Sequence, residues 1–376
     1  LKIAIVTFAA YGAGAQYTAQ LANALAAEKQ VAVLLPADAD TSQFRQSVSL
    51  VKLPLPFNLI PAAFKTLSPG FMNLFLNTLD REKPDVVHLV FEHRFPFWYA
   101  CKVHGKHPFV VTIHEPRAIP NRGWVGNLTV GALEYTNNSL LARCCDRVIV
   151  HSEKLRKTSL ISKLPAEKVH AVPHGNFSFF SSYGQGKEKK GKNILFFGRI
   201  ASYKGLEYLI EAAAMIRPSV PGLSVTIAGG GNLSKYAKSI ADREFFLVHN
   251  RYIPDEEAAD LLQAADLVVL PYTDGSQSSL ISAAAAFKKP AVVTSVGDFA
   301  DMVEDGRTGL VVPPRNSRTL AEAILKLLNN DELRTSMGEN AYCKMQGAEY
   351  SWDTIAAKTI TIYNEAIASY MSMKKG

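Results

Sequence analysis

The densest chemistry in the chain lies in Phe197-Gly198-Arg199-Ile200-Ala201-Ser202-Tyr203-Lys204-Gly205, which joins the apolar run Ile194–Phe197 to the amphipathic stretch Leu206–Ile216. A short apolar run followed at once by helical periodicity reads as a buried strand turning into a helix. Cations in such a turn suit a diphosphate, because the helix start adds unpaired N–H groups and the positive end of its dipole. Arg199 would chelate phosphate oxygens with its planar fork, and Lys204 would act as a compact point charge. Two cations in a loop are most often solvated surface residues. Their position straight after a buried strand, at the carboxyl edge of a sheet, is what points to a ligand.

A second anion site is expected at Thr273-Asp274-Gly275-Ser276-Gln277-Ser278-Ser279, between the strand Leu267–Leu270 and an alanine-rich helix starting near Leu280. Small residues there let a ligand approach backbone N–H groups, and the hydroxyls add donors; serines before a helix are otherwise ordinary caps. Gly229-Gly230-Gly231 follows the strand Leu223–Ala228 and permits a tight turn. Gly12 and Gly14 sit between the first strand and a helix. Neither glycine group is a GxGxxG fingerprint or carries a P-loop lysine, so a dinucleotide oxidoreductase fits poorly. His114 begins the loop after the strand Phe109–Ile113 and is expected to point into the cleft rather than the core, the alternative being a histidine that hydrogen-bonds locally at a strand end, whereas His88 lies inside its strand as a satisfied interior histidine. His174 opens a turn in Val172-Pro173-His174-Gly175-Asn176.

Placing these residues requires alternating strands and helices, the pattern of parallel sheets covered on both faces. Lys2–Phe8, Gln30–Leu35, Val86–Val90, Phe109–Ile113 and Arg147–His151 read as strands, with helices at Ala15–Leu25 and Gly126–Ala142. The polar stretch Ser181–Lys192 reads as a linker. Beyond it the alternation restarts, with strands at Ile194–Phe197, Leu223–Ala228, Phe245–His249, Leu267–Leu270, Ala291–Thr294 and Leu310–Val312. Helical segments fall at Leu206–Ile216, Leu233–Ala241, Ala258–Ala264 and Leu280–Phe287. Helices at Ser317–Leu328, Asp331–Met345 and Ser351–Tyr370 then run to the end, opened by Ser, Asn or Asp caps. The division expected is an α/β pair of doubly wound Rossmann-like domains at 1–180 and 193–350, a linker at 181–192 and a last helix at 351–376.

Composition agrees with a globular chain of two domains: 376 residues, 48% hydrophobic and 20% charged. Four cysteines show no CxxC spacing and read as reduced structural thiols. No apolar run approaches the roughly 20 residues that span a bilayer, so the expected location is the cytoplasm. The net charge of +7 favours acidic partners. Nucleic acid is set aside because neither zinc-finger spacing, an RRM-like aromatic signature nor a long basic helix appears. No acidic cluster asks for a metal.

Several segments in order resemble glycosyltransferase family 4. They are Val148-Ile149-Val150-His151-Ser152-Glu153, Glu167–Gly175, Phe197-Gly198-Arg199 through Lys204-Gly205, Ala264-Ala265-Asp266 with Val268–Pro271, and Val303-Glu304-Asp305-Gly306 with Thr308-Gly309-Leu310. The resemblance implies the GT-B fold, with the last helix crossing back to the first domain. It implies transfer of a sugar with retention from a nucleoside-diphosphate sugar, UDP- or GDP-linked, to a glycan or polyprenyl-linked acceptor in cell-surface polysaccharide or glycoconjugate synthesis. That donor is a co-substrate, and no cofactor is implied. Arg199 and Lys204 would hold the diphosphate, and the Gly275–Ser279 loop would add backbone donors. Gly198, Gly229 and Gly230 would line the donor side, and Tyr252-Ile253-Pro254 would meet the nucleobase. His114 would lie beside the donor sugar, with Gly12 to Gly14 near the diphosphate and acceptor.

One departure from the family pattern stands out. The two glutamates that many members carry with seven residues between them fall here at about Gly275 and Ala283, so Asp274, Ser278, Ser279 and Ser282 are the polar residues left to replace them. The loss keeps two other readings in play, a catalytically inactive nucleotide-sugar-binding homologue and a nucleotide-sugar epimerase or hydrolase of similar fold. For the acceptor, the aromatic and basic stretches Phe57–Phe75, with Phe64, Lys65 and Phe71, and Phe91–Tyr99 read either as ordinary core aromatics or as suited to a lipid-linked molecule at an anionic membrane surface, with the protein then peripheral to the inner face of the plasma membrane.

Overall fold

The computed structural model describes residues 1–55, 65–66, 68–91, 97–115, 132–157, 164–183 and 192–375. These form two compact units, one built from residues up to Gly175 together with Ala348 onward, the other from Asn176–Gly347.

In the first unit the apolar runs become β1 (Lys2–Thr7), β2 (Gln30–Pro36), β3 (Val48–Leu53), β4 (Val86–Phe91), β5 (Phe109–Thr112), β6 (Arg147–Val150) and β7 (Val169–Ala171). They pair in parallel in the order β3-β2-β1-β4-β5-β6-β7. Strands covered on both faces must be apolar throughout, and Ile3, Ala4, Ile5, Val86, Val87 and Val110 are fully buried. β3 and β7 escape the sequence pattern because they are edge strands: Val48–Leu53 exposes Ser49 and Lys52, and β7 is only three residues long.

The last helix, Trp352–Lys375, extends past the expected end at Tyr370 and belongs to this first unit. Ile355, Ala356, Ile362, Tyr363 and Ala366 share a core with Ile3, Ile5, Tyr17 and Leu21. Gly175 is required beneath it, since a Cβ there would lie 2.4 Å from the Trp352 ring. The fully buried His88 is satisfied as expected, by the Tyr363 hydroxyl at Nδ1 (2.7 Å) and the Thr112 hydroxyl at Nε2 (2.8 Å). Tyr363→Phe would keep the ring and strand one buried nitrogen, at a cost of about 1–3 kcal/mol. A urea midpoint indistinguishable from wild type would contradict that expectation.

The second unit holds β8 (Lys192–Phe197), β9 (Leu223–Ala228), β10 (Phe246–His249), β11 (Leu267–Leu270), β12 (Ala291–Thr294) and β13 (Gly309–Val312), all parallel, in the order β10-β9-β8-β11-β12-β13. This is the doubly wound order, whose direction reverses between β8 and β11. Helices Leu206–Ile216 and Ser317–Leu328 bury Leu209, Ile210, Ile324 and Leu327 against this sheet. Asn316 and Asn330 cap their helices by accepting Thr319 N–H (3.1 Å) and Leu333 N–H (2.9 Å).

Three expectations need correction. Leu233–Ala241 is not a continuous helix; only Ser234–Tyr236 makes a 3₁₀ turn, followed by isolated turns closed by Ala237 N–H to Ser234 O, Ile240 N–H to Tyr236 O and Ala241 N–H to Lys238 O. The units divide between Gly175 and Asn176 rather than across 181–192, of which 184–191 lies outside the described residues. Phe177 and Phe180 are buried, and Phe177 N–H donates to Ser282 Oγ (2.9 Å), so this segment packs with the second unit. Of the aromatics assigned to an acceptor surface, Phe71, Phe75 and Tyr99 are core residues, with Phe75 and Tyr99 stacked at 6.0 Å. The remainder of that assignment, residues 57–64 and 92–96 and the side chains of Phe91, Phe97 and Trp98, lies outside the described residues, as does the 126–131 part of the expected helix. Among the described residues no helix is long and apolar enough to cross a membrane.

Candidate functional site

The second sheet brings most of the singled-out residues to one edge. Arg199 and Lys204 follow β8, Gly229 and Gly230 follow β9, Tyr252 and Ile253 follow β10, and Asp274 to Ser279 follow β11. The turn after β8 and the loop after β11 therefore flank the point where strand order reverses, the position at which open α/β sheets hold ligands.

Close backbone approach shapes this edge. Gly198 N–H donates to Ala228 O (2.8 Å) and Ile200 N–H to Gly230 O (2.9 Å), so the turns after β8 and β9 run side by side. Gly229 has φ +138, and a Cβ there would fall 2.1 Å from Gly198 O. Gly205 caps the helix Leu206–Ile216 at φ +65, with a would-be Cβ 2.0 Å from Pro271 O. The turn after β8 is thereby pressed onto the end of β11, and Thr273 N–H donates to Tyr203 O (2.7 Å) to hold it there.

Within this frame Lys204 is half-buried, and its ammonium donates to the Tyr272 hydroxyl. Arg199 is exposed. Among the described residues neither cation is paired with a carboxylate. Tyr272 was not singled out from sequence, since a tyrosine ending a strand looks like ordinary core.

The loop after β11 is held from beneath. Asp298 N–H donates to Ser276 O (2.8 Å), Gln277 Nε2 donates to Asp298 Oδ2 (3.0 Å), and Gly297 at φ +51 lies under the carbonyls of Gly275 and Ser276. Ser278 is the N-cap of Ser279–Ala286 but its hydroxyl makes no capping bond. The missing family glutamates map onto Gly275, buried at φ +133, and Ala283, 5% exposed within the helix. Among the proposed replacements Ser282 is already engaged by Phe177 N–H, and Asp274 Oδ1 accepts Gly275 N–H (2.7 Å). At the outer strands, Tyr252 is 57% exposed while Ile253 is buried, and the Arg251 guanidinium donates to Tyr252 O (3.2 Å).

Gly12, Gly14 and His114 belong to the first unit. Gly12, at φ +69, opens the helix Gly12–Leu25 after β1, and Gly14 O accepts from the Thr18 hydroxyl (2.7 Å). His114 follows β5 but is tied inward: Nε2 lies 2.8 Å from Val90 O, and Nδ1 lies 2.8 Å from His151 Nε2. His151 Nδ1 in turn lies 3.1 Å from Val172 O. A carbonyl thus stands at each outer end of the His114–His151 pair. Tyr17, His174 and Trp352 complete this aromatic cluster, with Tyr17 placed 4.8–5.4 Å from its neighbours. The cluster was not legible beforehand, because its members come from helices, strand ends and a loop far apart in the chain.

Burial keeps His88 and His151 neutral. Desolvation pushes His88 and His151 down to about 3 from an ordinary value of 6.5, and His114 beside His151 adds to the effect on the latter. The unfolded chain therefore binds more protons than the folded one below about 6.5. Stability from this source is present above that pH and is lost as the pH falls toward 3, each ring withdrawing about 1.4 kcal/mol per pH unit. The urea midpoint is expected to fall between pH 7 and pH 5, and equal midpoints would contradict the assignment.

Two family models match the chain in succession, one described as Glycosyltransferase Family 4 over residues 14–175, the other as Glycosyl transferases group 1 over residues 180–344. The chain is similar to an alpha-D-kanosaminyltransferase of Streptomyces kanamyceticus, 31% identical over 54% of this chain and 56% of that protein. It is also similar to a D-inositol 3-phosphate glycosyltransferase of Arthrobacter sp., 30% identical over 57% of each. The chain thus spans little more than half the length of these curated relatives.

Among solved structures, the sucrose-phosphate synthase of Thermosynechococcus elongatus has a TM-score of 0.80 at 19% identity, covering 98% of this chain and 99% of that one. Anabaena HepE in complex with UDP and glucose has a TM-score of 0.73 at 19% identity, covering 97% of this chain and 99% of that one. These likenesses show the fold, which is GT-B. With both family models matching consecutive halves and the doubly wound order present in each sheet, the chain belongs to glycosyltransferase family 4.

Proposed function

We propose that the protein transfers a sugar, with retention, from a UDP- or GDP-sugar to a glycan or lipid-linked acceptor. The observation that carries this reading is the pair of cations, Arg199 and Lys204, without carboxylate partners among the described residues, in the turn beside the reversal point of the second sheet. Breaking a sugar–phosphate bond leaves negative charge on the departing nucleoside diphosphate while the anomeric carbon becomes oxocarbenium-like. Fixed donors aimed at the leaving oxygens stabilise that charge more in the transition state than in the ground state. Arg199, Lys204 and the N–H groups at the start of Ser279–Ala286 supply such donors, so the reading assigns leaving-group stabilisation to protein groups rather than to a metal ion.

Family membership supports retention, by attack on the same face from which the diphosphate leaves, the leaving phosphate helping to take the acceptor proton. Anabaena HepE, whose solved complex holds UDP and glucose, supports a UDP-sugar as the first donor to try. A thermal-shift screen of UDP-, GDP- and ADP-sugars tests the reading, because a ligand held by the folded state alone raises the midpoint by mass action. One nucleotide class should stand out, and its sugar should move only when an acceptor is present. Consumption of the donor without acceptor at the full rate would favour a hydrolase or epimerase instead.

A further inference from the structure

A lysine that must meet a leaving diphosphate faces two opposing demands. Its long side chain has to be fixed before the reaction, yet its charge has to remain available. A carboxylate partner would fix it and cancel the charge.

The structure meets both demands with a phenol. Lys204 Nζ donates to Tyr272 Oη and lies 4.4 Å from the Tyr272 ring centroid. An ammonium has three donors, so two remain for phosphate oxygens. The tyrosine itself has little freedom, being 2% exposed and packed at 5.0 Å on Phe299 and edge-on at 6.0 Å to Tyr203. Its carbonyl accepts the Thr294 hydroxyl (2.6 Å). The same Oη lies 3.4 Å from Ser278 Oγ, so one hydroxyl touches both the turn after β8 and the loop after β11.

We propose that Tyr272 is a positioning residue, holding the Lys204 ammonium in place for the donor diphosphate without neutralising it. This rests on the donor reading above.

The test is a double-mutant cycle on binding, read by titration calorimetry with UDP and GDP, and with uridine and guanosine as uncharged controls. Tyr272→Phe keeps the ring and removes only the hydroxyl. It should weaken the nucleoside diphosphate that binds by about tenfold, the scale of a hydrogen bond to a charged group, and leave the nucleoside unchanged. In a Lys204→Ala background the same substitution should cost nothing further, because the cation it positions is gone. If neither diphosphate binds wild type, or Lys204→Ala binds as wild type does, the donor reading falls and the inference with it. If Lys204→Ala weakens binding and Tyr272→Phe does not, the inference alone falls. A Tyr272→Phe penalty that persists in the Lys204→Ala background, or that extends equally to the nucleoside, would show that the residue supports the fold rather than the cation.

Discussion

Lys204→Ala and Arg199→Ala are each expected to lower turnover by about a hundredfold or more, since removing one preorganised donor to a developing negative charge costs roughly 3 kcal/mol. Lys204 should show the effect chiefly in kcat, because its ammonium is already fixed and the charge it meets grows during bond cleavage. Arg199 is exposed and, among the described residues, no partner holds its guanidinium, so its removal should also raise the donor KM. Steady-state rates of sugar transfer, with the donor that wins the thermal screen, give both quantities. Near-normal transfer by both variants would remove the leaving-group role from this turn.

The second large effect is steric. Gly205→Ala places a Cβ 2.0 Å from the Pro271 carbonyl oxygen at a residue whose φ is +65. The left-handed backbone alone costs a non-glycine residue about 1–2 kcal/mol. The clash adds to it, and relief requires the turn after β8 to lift away from the end of β11. We expect a total loss of about 3 kcal/mol or more, together with loss of nucleoside-diphosphate binding. Gly222→Ala is the matched control, with φ +73 and no atom within 4 Å of the added Cβ, and it should lose only about 1–2 kcal/mol with binding intact. Equal urea midpoints for the two variants would contradict the role given to the Pro271 contact.

What could be read from the residues beforehand follows a physical division between local and non-local information. Arg199 and Lys204 were legible because strand, turn and helix succeed one another within about a dozen positions, and each leaves its own periodicity. The helix Leu206–Ile216 and the strands Leu223–Ala228, Leu267–Leu270 and Ala291–Thr294 were legible for the same reason, being continuous apolar runs or one-sided stripes. Tyr272 was not, since its partner is 68 positions away and nothing in Leu270-Pro271-Tyr272 announces it. The edge strands β3 and β7 were missed because an edge needs less apolar surface than a central strand. The helix expected at Leu233–Ala241 breaks into a 3₁₀ turn and isolated turns. His114 was placed correctly at a strand end, but its contact with His151 depends on two neighbouring strands and could only come from the fold.

The missing glutamates illustrate the same limit from the other side. Sequence located the vacant positions at Gly275 and Ala283, but only the structure shows how the loop between them is held. The hydrogen bonds Asp298 N–H to Ser276 O and Gln277 Nε2 to Asp298 Oδ2 fix the loop from below, and the Ser278 hydroxyl lies beside Tyr272. The loop thus keeps a fixed backbone without either carboxylate.

The central claim is that the turn after β8 exists to receive a diphosphate. Diffraction from crystals soaked in the nucleoside diphosphate that gives the largest thermal shift tests it most directly. Phosphate oxygens should appear about 3 Å from Lys204 Nζ and within reach of the Arg199 guanidinium. A nucleotide bound firmly at some other place, with no density against those two side chains, would contradict the account.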